Sequence, residues 1–458
     1  MTFQASLSQL LTLLKTTLVG AVPPATPVTG ISTDTRTLQP GQVFVALRGE
    51  SFDGHQFLDT AVERGAIAAI VDHQHPTSAA PLPLLPVADT LQAYQAIAQW
   101  WRTQFAIPVI AVTGSVGKTT TKELIAAVLS TLAATDSTPA PLLKSQANYN
   151  NEIGVPKTLL ELQPEHQFAI VEMGMRARGE IALLSQIAHP TLAVITNVGT
   201  AHIGRLGSEQ AIAEAKCELL AELPPDSIAI LNHDNPLLLQ TAQTVWAGKT
   251  LTYGFTGGDV QGQLLDAETL VVQGVTLPLP LPGQHNALNY LAALTVAQVL
   301  GLDLTPLTAG LHVELPSGRA KRVTLPNDVV LLDETYNAGL ESMLAALHLL
   351  AQTPGTRRIA VLGTMKELGD RSPEFHAQVG ATVAKLKLDH LLILADEAEA
   401  IALADGAIGI PTERCRDHAH LTERLQALVQ PGDRVLLKAS RAVGLDRVVT
   451  QFTQSTPA

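Results

Sequence analysis

The sequence predicts an α/β protein of three domains, the central one a mostly parallel sheet of the phosphate-loop type. Three observations carry this. The 458 residues exceed what one hydrophobic core usually sustains. Short apolar runs alternate with helix-length amphipathic segments, as in a sheet covered on both faces. A strand-like run at 108–112 meets a glycine turn, and a helical pattern resumes over 119–132.

Residues 7–18 carry a helical period, and a Pro/Gly-rich turn follows at 22–30. Residues 42–47 (Gln-Val-Phe-Val-Ala-Leu) read as a strand, 54–65 as a helix and 67–71 as a strand. Four prolines make 75–86 a loop, and 91–105 reads as a helix. Past the glycine turn, strands at 169–172, 193–197 and 227–231 alternate with helices at 180–187 and 208–223. Residues 250–280 lack a helical period and read as β-rich. The alternating Leu and Pro over 277–282 fit only an edge or a linker. A helix is expected at 286–300. A boundary falls near Pro316-Ser-Gly318. Beyond it, strands at 329–333, 358–362, 390–394 and 434–437 alternate with helices at 341–351 and 374–388. The expected domains are 1–107, 108–315 and 316–458, with no fixed-period repeat.

Composition narrows the function. Hydrophobic residues make up 46% and charged residues 16%, which suits a packed globular chain. The net charge of −12, with no Lys/Arg run longer than two, argues against nucleic acid. Cys217 and Cys415 stand far apart with no CxxC, so neither a disulfide framework nor a zinc site is expected. No apolar run approaches the roughly 18 residues of a membrane span. Lys15 inside the first apolar pattern marks an amphipathic helix rather than a signal peptide. A cytoplasmic protein is expected.

The segment Thr113-Gly114-Ser115-Val116-Gly117-Lys118-Thr119 has the setting of a phosphate loop. Gly114 and Gly117 let backbone N–H groups approach phosphates, Lys118 neutralises the β/γ oxygens, and Thr119 offers a hydroxyl to Mg²⁺. Val112 stands where the usual pattern has glycine, so this is a shortened variant. Kinases, GTPases, synthetases and transport ATPases share such loops; the loop by itself implies only a nucleotide, ATP being the expectation. Glu172 ends a strand near the loop, where a carboxylate reaches a phosphate-bound Mg²⁺; the competing reading is a solvated loop Glu.

Further runs occur in a fixed order. They are Ser32-Thr-Asp-Thr-Arg36, Phe52-Asp-Gly-His55, Asn148-Tyr-Asn-Asn-Glu-Ile-Gly-Val-Pro156, Glu172-Met-Gly174, Thr196-Asn-Val-Gly-Thr-Ala-His202, Ala213-Glu-Ala-Lys216, Pro282-Gly-Gln-His-Asn286 with Asn289, and Arg319. Asp333 to Asn337, Glu367-Leu-Gly369 and Ser440-Arg441 complete the series. Together they resemble the Mur ligase family over nearly the whole chain, most closely the branch that joins D-alanyl-D-alanine to UDP-N-acetylmuramoyl-tripeptide.

The resemblance implies an N-terminal α/β uridine-binding domain, with Ser32, Asp34 and Arg36 at the UDP substrate. It also implies a Rossmann-like C-terminal domain for the dipeptide and part of ATP. Asn148 and Asn151 would meet the substrate, and Tyr336 and Asn337 the dipeptide. His202 and a carbamylated Lys216 would hold a second Mg²⁺, though spacing alone makes His202 an ordinary structural histidine. Asn286 and Asn289, three apart on one helical face, offer amides to the adenine edge, or else serve as a cap and a surface residue. Arg319 would contact the γ-phosphate, or be one of several basic surface residues beside Lys321 and Arg322. Asp333 would hold the ribose, or cap a helix. A monomer is expected. Three departures fall in the last domain: Gly339-Leu340 replaces Asn-Pro, Thr364 an Asp, and Ala439 a Gly. The rivals are another ligase of the superfamily, adding to a muramoyl dipeptide or to folylpolyglutamate, and a P-loop kinase or NTPase.

Overall fold

The computed structural model describes residues 3–49, 52–76, 81–135 and 138–455. Three helix-flanked sheets follow one another along the chain, beside a small antiparallel ribbon of Ala5–Ser6 with Pro27–Val28. The first sheet is parallel, in the order Ile31–Ser32, Val43–Val45, Ala68–Asp72, Leu84–Val87. The second has nine strands. It runs parallel from Leu142–Lys144 through Phe168–Glu172, Val109–Thr113, Leu192–Ile195, Ile228–Asn232 and Lys249–Gly254 to Val260–Leu264. Thr269–Val272 and Val275–Pro278 then close it as an antiparallel hairpin. In the third sheet Lys321–Leu325 lies antiparallel to Val329–Asp333. Arg434–Lys438, Arg358–Gly363, His390–Leu394 and Thr412–Arg414 continue it in parallel.

The alternation of one strand explains why the second sheet is covered on both faces. In Val109–Thr113, Val109 and Ala111 point into a core that includes Ile97 and Leu184. Ile110 and Val112 point the other way, among Leu124 and Leu294. That second core packs helix Lys118–Leu132 against helix Gln284–Val299. Helix Thr90–Arg102 bridges the first sheet to the second. Its Trp101 Nε1 donates to Leu162 O at 3.2 Å. Arg102 donates to the terminal carbonyls of helix Glu180–Ala188, Ala188 O at 3.1 Å and His189 O at 3.2 Å, where a cation complements the helix dipole.

The predicted elements recur with shifted ends, and the departures have local causes. The first helix stops at Leu14 because Lys15 turns left-handed, at φ 51°. The segment 75–86 is not loop throughout: Leu84–Val87 is the outer strand of its sheet, a place that tolerates Pro86. Residues 77–80 of that loop lie outside the described residues. The Leu/Pro alternation of 277–282 begins in the edge strand Val275–Pro278, and its remaining residues lie outside any strand. Both cysteines are free and buried. Among the described residues, no helix is long and apolar enough to cross a membrane.

Candidate active site

Strand Val109–Thr113 lies between Phe168–Glu172 and Leu192–Ile195, so the loops leaving neighbouring strand ends diverge there. Such a switch point opens a crevice at the carboxyl ends of the strands. Here the crevice is a cleft of about 690 Å³, walled by the second sheet on one side and by loops of the third on the other.

The phosphate loop is stapled to the loop after Leu192–Ile195. Ser115 N donates to Asn197 O at 3.0 Å and Val116 N to Asn197 Oδ1 at 3.0 Å. Thr196 Oγ1 donates to Val116 O at 2.7 Å. The approach is so close that a Cβ on Gly114 would lie 1.9 Å from Thr196 Oγ1. Gly117 has φ +82°, and a Cβ there would meet Asn289 Oδ1 at 2.6 Å. Ser115 and Val116 thus spend their N–H groups inside the protein. The donors left for an anion are at the start of helix Lys118–Leu132, where Lys118 and Thr119 also line the cleft. Thr113 and Gly114 lie beneath the cleft rather than on its wall, Thr113 Oγ1 donating to Met173 O at 2.9 Å. Lys118 Nζ donates to Gly114 O at 2.8 Å. Burial lowers its pKa and Glu172 opposes that shift.

Glu172 is 3% exposed. Its Oε1 accepts from Asn150 Nδ2 at 2.8 Å, while its Oε2 is buried without a hydrogen-bond partner. The buried Lys122 ammonium stands 4.0 Å from that oxygen. An orphaned carboxylate oxygen on the cleft that Thr119 also lines fits a hard divalent cation. Asn150, absent from the predicted site residues, makes the Glu172 contact. Asn148 lines the cleft. Asn151 also borders it, but its Oδ1 accepts from Gly154 N at 2.8 Å and so ties down the start of helix Gly154–Leu159.

His202 lines the cleft, with Nδ1 2.6 Å from Glu367 Oε2. The Glu367 carboxyl is held below its usual pKa, chiefly by that contact. Lys216, on helix Glu209–Ala221, is 1% exposed and lies behind the cleft wall. Desolvation, reinforced by Lys118, drives its pKa well down.

On the opposite wall, the Arg319 guanidinium stacks 3.9 Å over the Tyr336 ring, and its buried Nε has no hydrogen-bond partner. Asn337 is exposed at the rim. Asp333 turns inward: it is 3% exposed and Oδ1 accepts from Thr335 N at 3.1 Å and Oγ1 at 2.6 Å. Its neighbour Glu334 lines the cleft instead, 3.8 Å from Lys438. Burial raises the Glu334 pKa and lowers that of Lys438. Asn286 and Asn289 border the cleft on helix Gln284–Val299, with Asn286 Nδ2 donating to Pro282 O at 2.8 Å. The unpredicted His285 beside them is pushed down to about 4 by burial, with Lys438 adding to the shift.

Ser32, Asp34 and Arg36 do not join this cleft. They form a surface turn in which Arg36 Nε donates to Asp34 Oδ1 at 2.9 Å and Nη2 to Oδ2 at 2.7 Å. That fork holds the Asp34 carboxyl below its ordinary pKa. Of the departures, Thr364 Oγ1 accepts from Asp396 N at 2.9 Å, Gly339 precedes helix Leu340–Gln352, and Ala439 is buried against Gly363. Asn150, Asn197 and Glu367 escape sequence reasoning because their work is to hold other site groups. The visible signal is that each sits inside one of the ordered runs.

Comparison with known proteins agrees along the chain. Residues 27–102 match the Mur ligase family catalytic domain, 112–297 the Mur ligase middle domain, and 318–441 the Mur ligase glutamate ligase domain. A curated relative from Synechocystis sp., named UDP-N-acetylmuramoyl-tripeptide--D-alanyl-D-alanine ligase, is 60% identical over 94% of this chain and 93% of its own. A MurF crystal structure from Acinetobacter baumannii superposes with a TM-score of 0.90 at 33% identity, covering 99% of this chain and 100% of that one. A MurF ligase from Thermotoga maritima, solved in complex with ADP, gives 0.82 at 30% identity over 93% and 97%. The chain belongs to the Mur ligase family.

Proposed function

We propose that this protein is the ATP-dependent ligase that joins D-alanyl-D-alanine to UDP-N-acetylmuramoyl-tripeptide in peptidoglycan precursor synthesis, working as a cytoplasmic monomer. The 60% identity to the Synechocystis relative over 94% of the chain carries the reading. In it, residues 1–107 hold the UDP substrate through Ser32, Asp34 and Arg36, 108–315 hold ATP, and 316–458 present the dipeptide at Tyr336 and Asn337.

The chemistry is two transfers. A terminal carboxylate oxygen of the tripeptide attacks the γ-phosphorus and ADP leaves, forming an acyl phosphate. The dipeptide amine then attacks the acyl carbon, loses a proton, and phosphate departs with the oxygen that made the attack. Lys118, the helix N-terminus behind it and Arg319 meet the charge on the transferring group. Asn286 and Asn289 position the nucleotide, and Asp333 acts through the turn it braces. When bound, Mg²⁺ would neutralise and orient the phosphate oxygens; Thr119 and Glu172 would hold one ion, His202 and a carbamylated Lys216 a second. No side-chain nucleophile is needed; alignment and exclusion of water protect the acyl phosphate.

Phosphate release measured against a panel of UDP-muramoyl peptides and acceptors tests the reading. The expected result is release only when the UDP-tripeptide and D-alanyl-D-alanine are both present. Equal release from ATP alone, or an equal rate with a free amino acid replacing the dipeptide, would overturn it.

A further inference from the structure

The loop 199–205 is gripped from the C-terminal side at four points. Thr200 N donates to Glu341 Oε1 at 2.6 Å. Gly204 N donates to Glu367 O at 3.0 Å. The Glu367 carboxylate reaches back with Oε2 2.6 Å from His202 Nδ1 and Oε1 3.2 Å from the Arg205 guanidinium. The fit at the centre is backbone on backbone: a Cβ added to Gly204 would lie 2.4 Å from Gly369 N. Both partners of the central His202–Glu367 contact have left-handed backbones, His202 at φ +68° and Glu367 at φ +66°. Non-glycine residues hold that conformation at a cost that the surrounding contacts must offset, and such strain gathers at functional sites. The loop 196–199 just before also staples the phosphate loop, through Asn197 and through Gly199 N donating to Ser115 Oγ at 2.9 Å.

From this geometry we propose that Glu367 is a positioning residue for His202, and that docking of the C-terminal unit at Gly204 is what sets the imidazole. The proposal rests on the ligase reading above. Nδ1 faces the carboxylate, leaving Nε2 as the nitrogen free to act on the cleft. A carboxylate behind Nδ1–H fixes the tautomer and makes Nε2 a better donor to a cation. Nδ1 and Oε2 stand 2.6 Å apart without a formed hydrogen bond, so the ring N–H must turn to the oxygen to complete it. Because the carboxylate and the imidazole come from different sheets, the group is assembled only in the docked arrangement. An enzyme that handles an acyl phosphate gains from this, since phosphoryl transfer is then tied to exclusion of water.

The test uses full-length Glu367→Ala, Glu367→Gln and Gly204→Ala, each checked for folding by circular dichroism. ADP binding is measured by calorimetry with Mg²⁺ and with chelator, and solution scattering is recorded without metal. For Glu367→Ala, Mg²⁺-dependent binding should weaken roughly 10–100-fold while binding in chelator and the KM for the UDP substrate move less than about 2-fold. Glu367→Gln, whose amide oxygen still accepts from Nδ1–H, should recover most of the loss. Gly204→Ala keeps every polar side chain but blocks docking, so its radius of gyration should rise and its Mg²⁺ dependence weaken likewise. Unchanged Mg²⁺ dependence in Glu367→Ala, or unchanged scattering in Gly204→Ala, would overturn the proposal. If Glu367→Ala does not fold, Gly204→Ala and Glu367→Gln decide. Equal loss of ADP binding with and without Mg²⁺ in the variants reduces the contact to a folding role and also overturns it. Failure of the parent protein to bind ADP would count against the ligase reading instead.

Discussion

Lys216 sits in an environment that its residue type avoids. An ammonium 1% exposed, with Lys118 adding repulsion, is disfavoured in its charged form. The proposed carbamylation would convert it into an anionic oxygen ligand suited to a hard cation. Lys216→Ala should therefore be nearly inactive, and acetate or formate should restore part of the turnover by filling the vacated position. Lys216→Arg should stay inactive with or without the acid. Near-normal turnover in both variants would reduce Lys216 to a packing residue. The asparagines separate in a similar way. Asn150 fixes Glu172, so Asn150→Ala should lower kcat about 10-fold or more, the usual reach of a group that orients a metal ligand, the role proposed for Glu172. Asn151 ties down a helix start, so Asn151→Ala should cost about 1 kcal/mol of stability and leave kcat nearly unchanged. Kinetics and denaturant melts on the pair check this, and the reverse pattern would exchange their roles. Sequence spacing leaves the two asparagines on equal terms, because only the fold decides which amide reaches a carboxylate 22 residues later.

At the scale of elements, local rules carried most of the reading. The strand, turn and helix at 109–132 were legible because apolar run, glycine pair and helical period all agree there. Helices Pro236–Val245 and His418–Leu428 escaped a reading by apolar period, yet their caps were in plain view. Asn235 accepts from Leu238 N at 3.0 Å and Asp417 from His420 N at 2.8 Å. Strand Lys321–Leu325 was illegible for another reason: it begins with two cations and takes its partner, Val329–Asp333, from across a short turn. The phosphate loop shows what the sequence could not convey, namely that two of its N–H groups serve Asn197. Gly114→Ala should collide with Thr196 and cost about 1–3 kcal/mol, as overpacking does, with a matching loss of ATP affinity. Adding Thr196→Ala should relieve the collision and recover stability. A melting curve of Gly114→Ala unchanged from the parent would mean that the loop is not held as described.

At the scale of the molecule, the three sheets were foreseeable from alternation, but their mutual placement was not. One apolar core runs through all three sheets, and long-range polar contacts fix their placement, among them Arg102 on helix-end carbonyls, Glu341 on Thr200, and Glu367 on His202. None belongs to a local pattern. Their effect is to gather groups from the second and third sheets around one cleft, while Asp34 and Arg36 remain on a separate surface of the first. An amide ligase using an acyl phosphate has use for such a division, since it brings three reactants together in sequence. The most direct measurement follows the oxygen. UDP-muramoyl tripeptide labelled with ¹⁸O in its terminal carboxylate is incubated with ATP, Mg²⁺ and D-alanyl-D-alanine, and the released phosphate is examined by mass spectrometry. The account predicts that each phosphate carries one labelled oxygen and each amide product retains the other. Phosphate released without label would place water, not the carboxylate, at the γ-phosphorus, and would contradict the account.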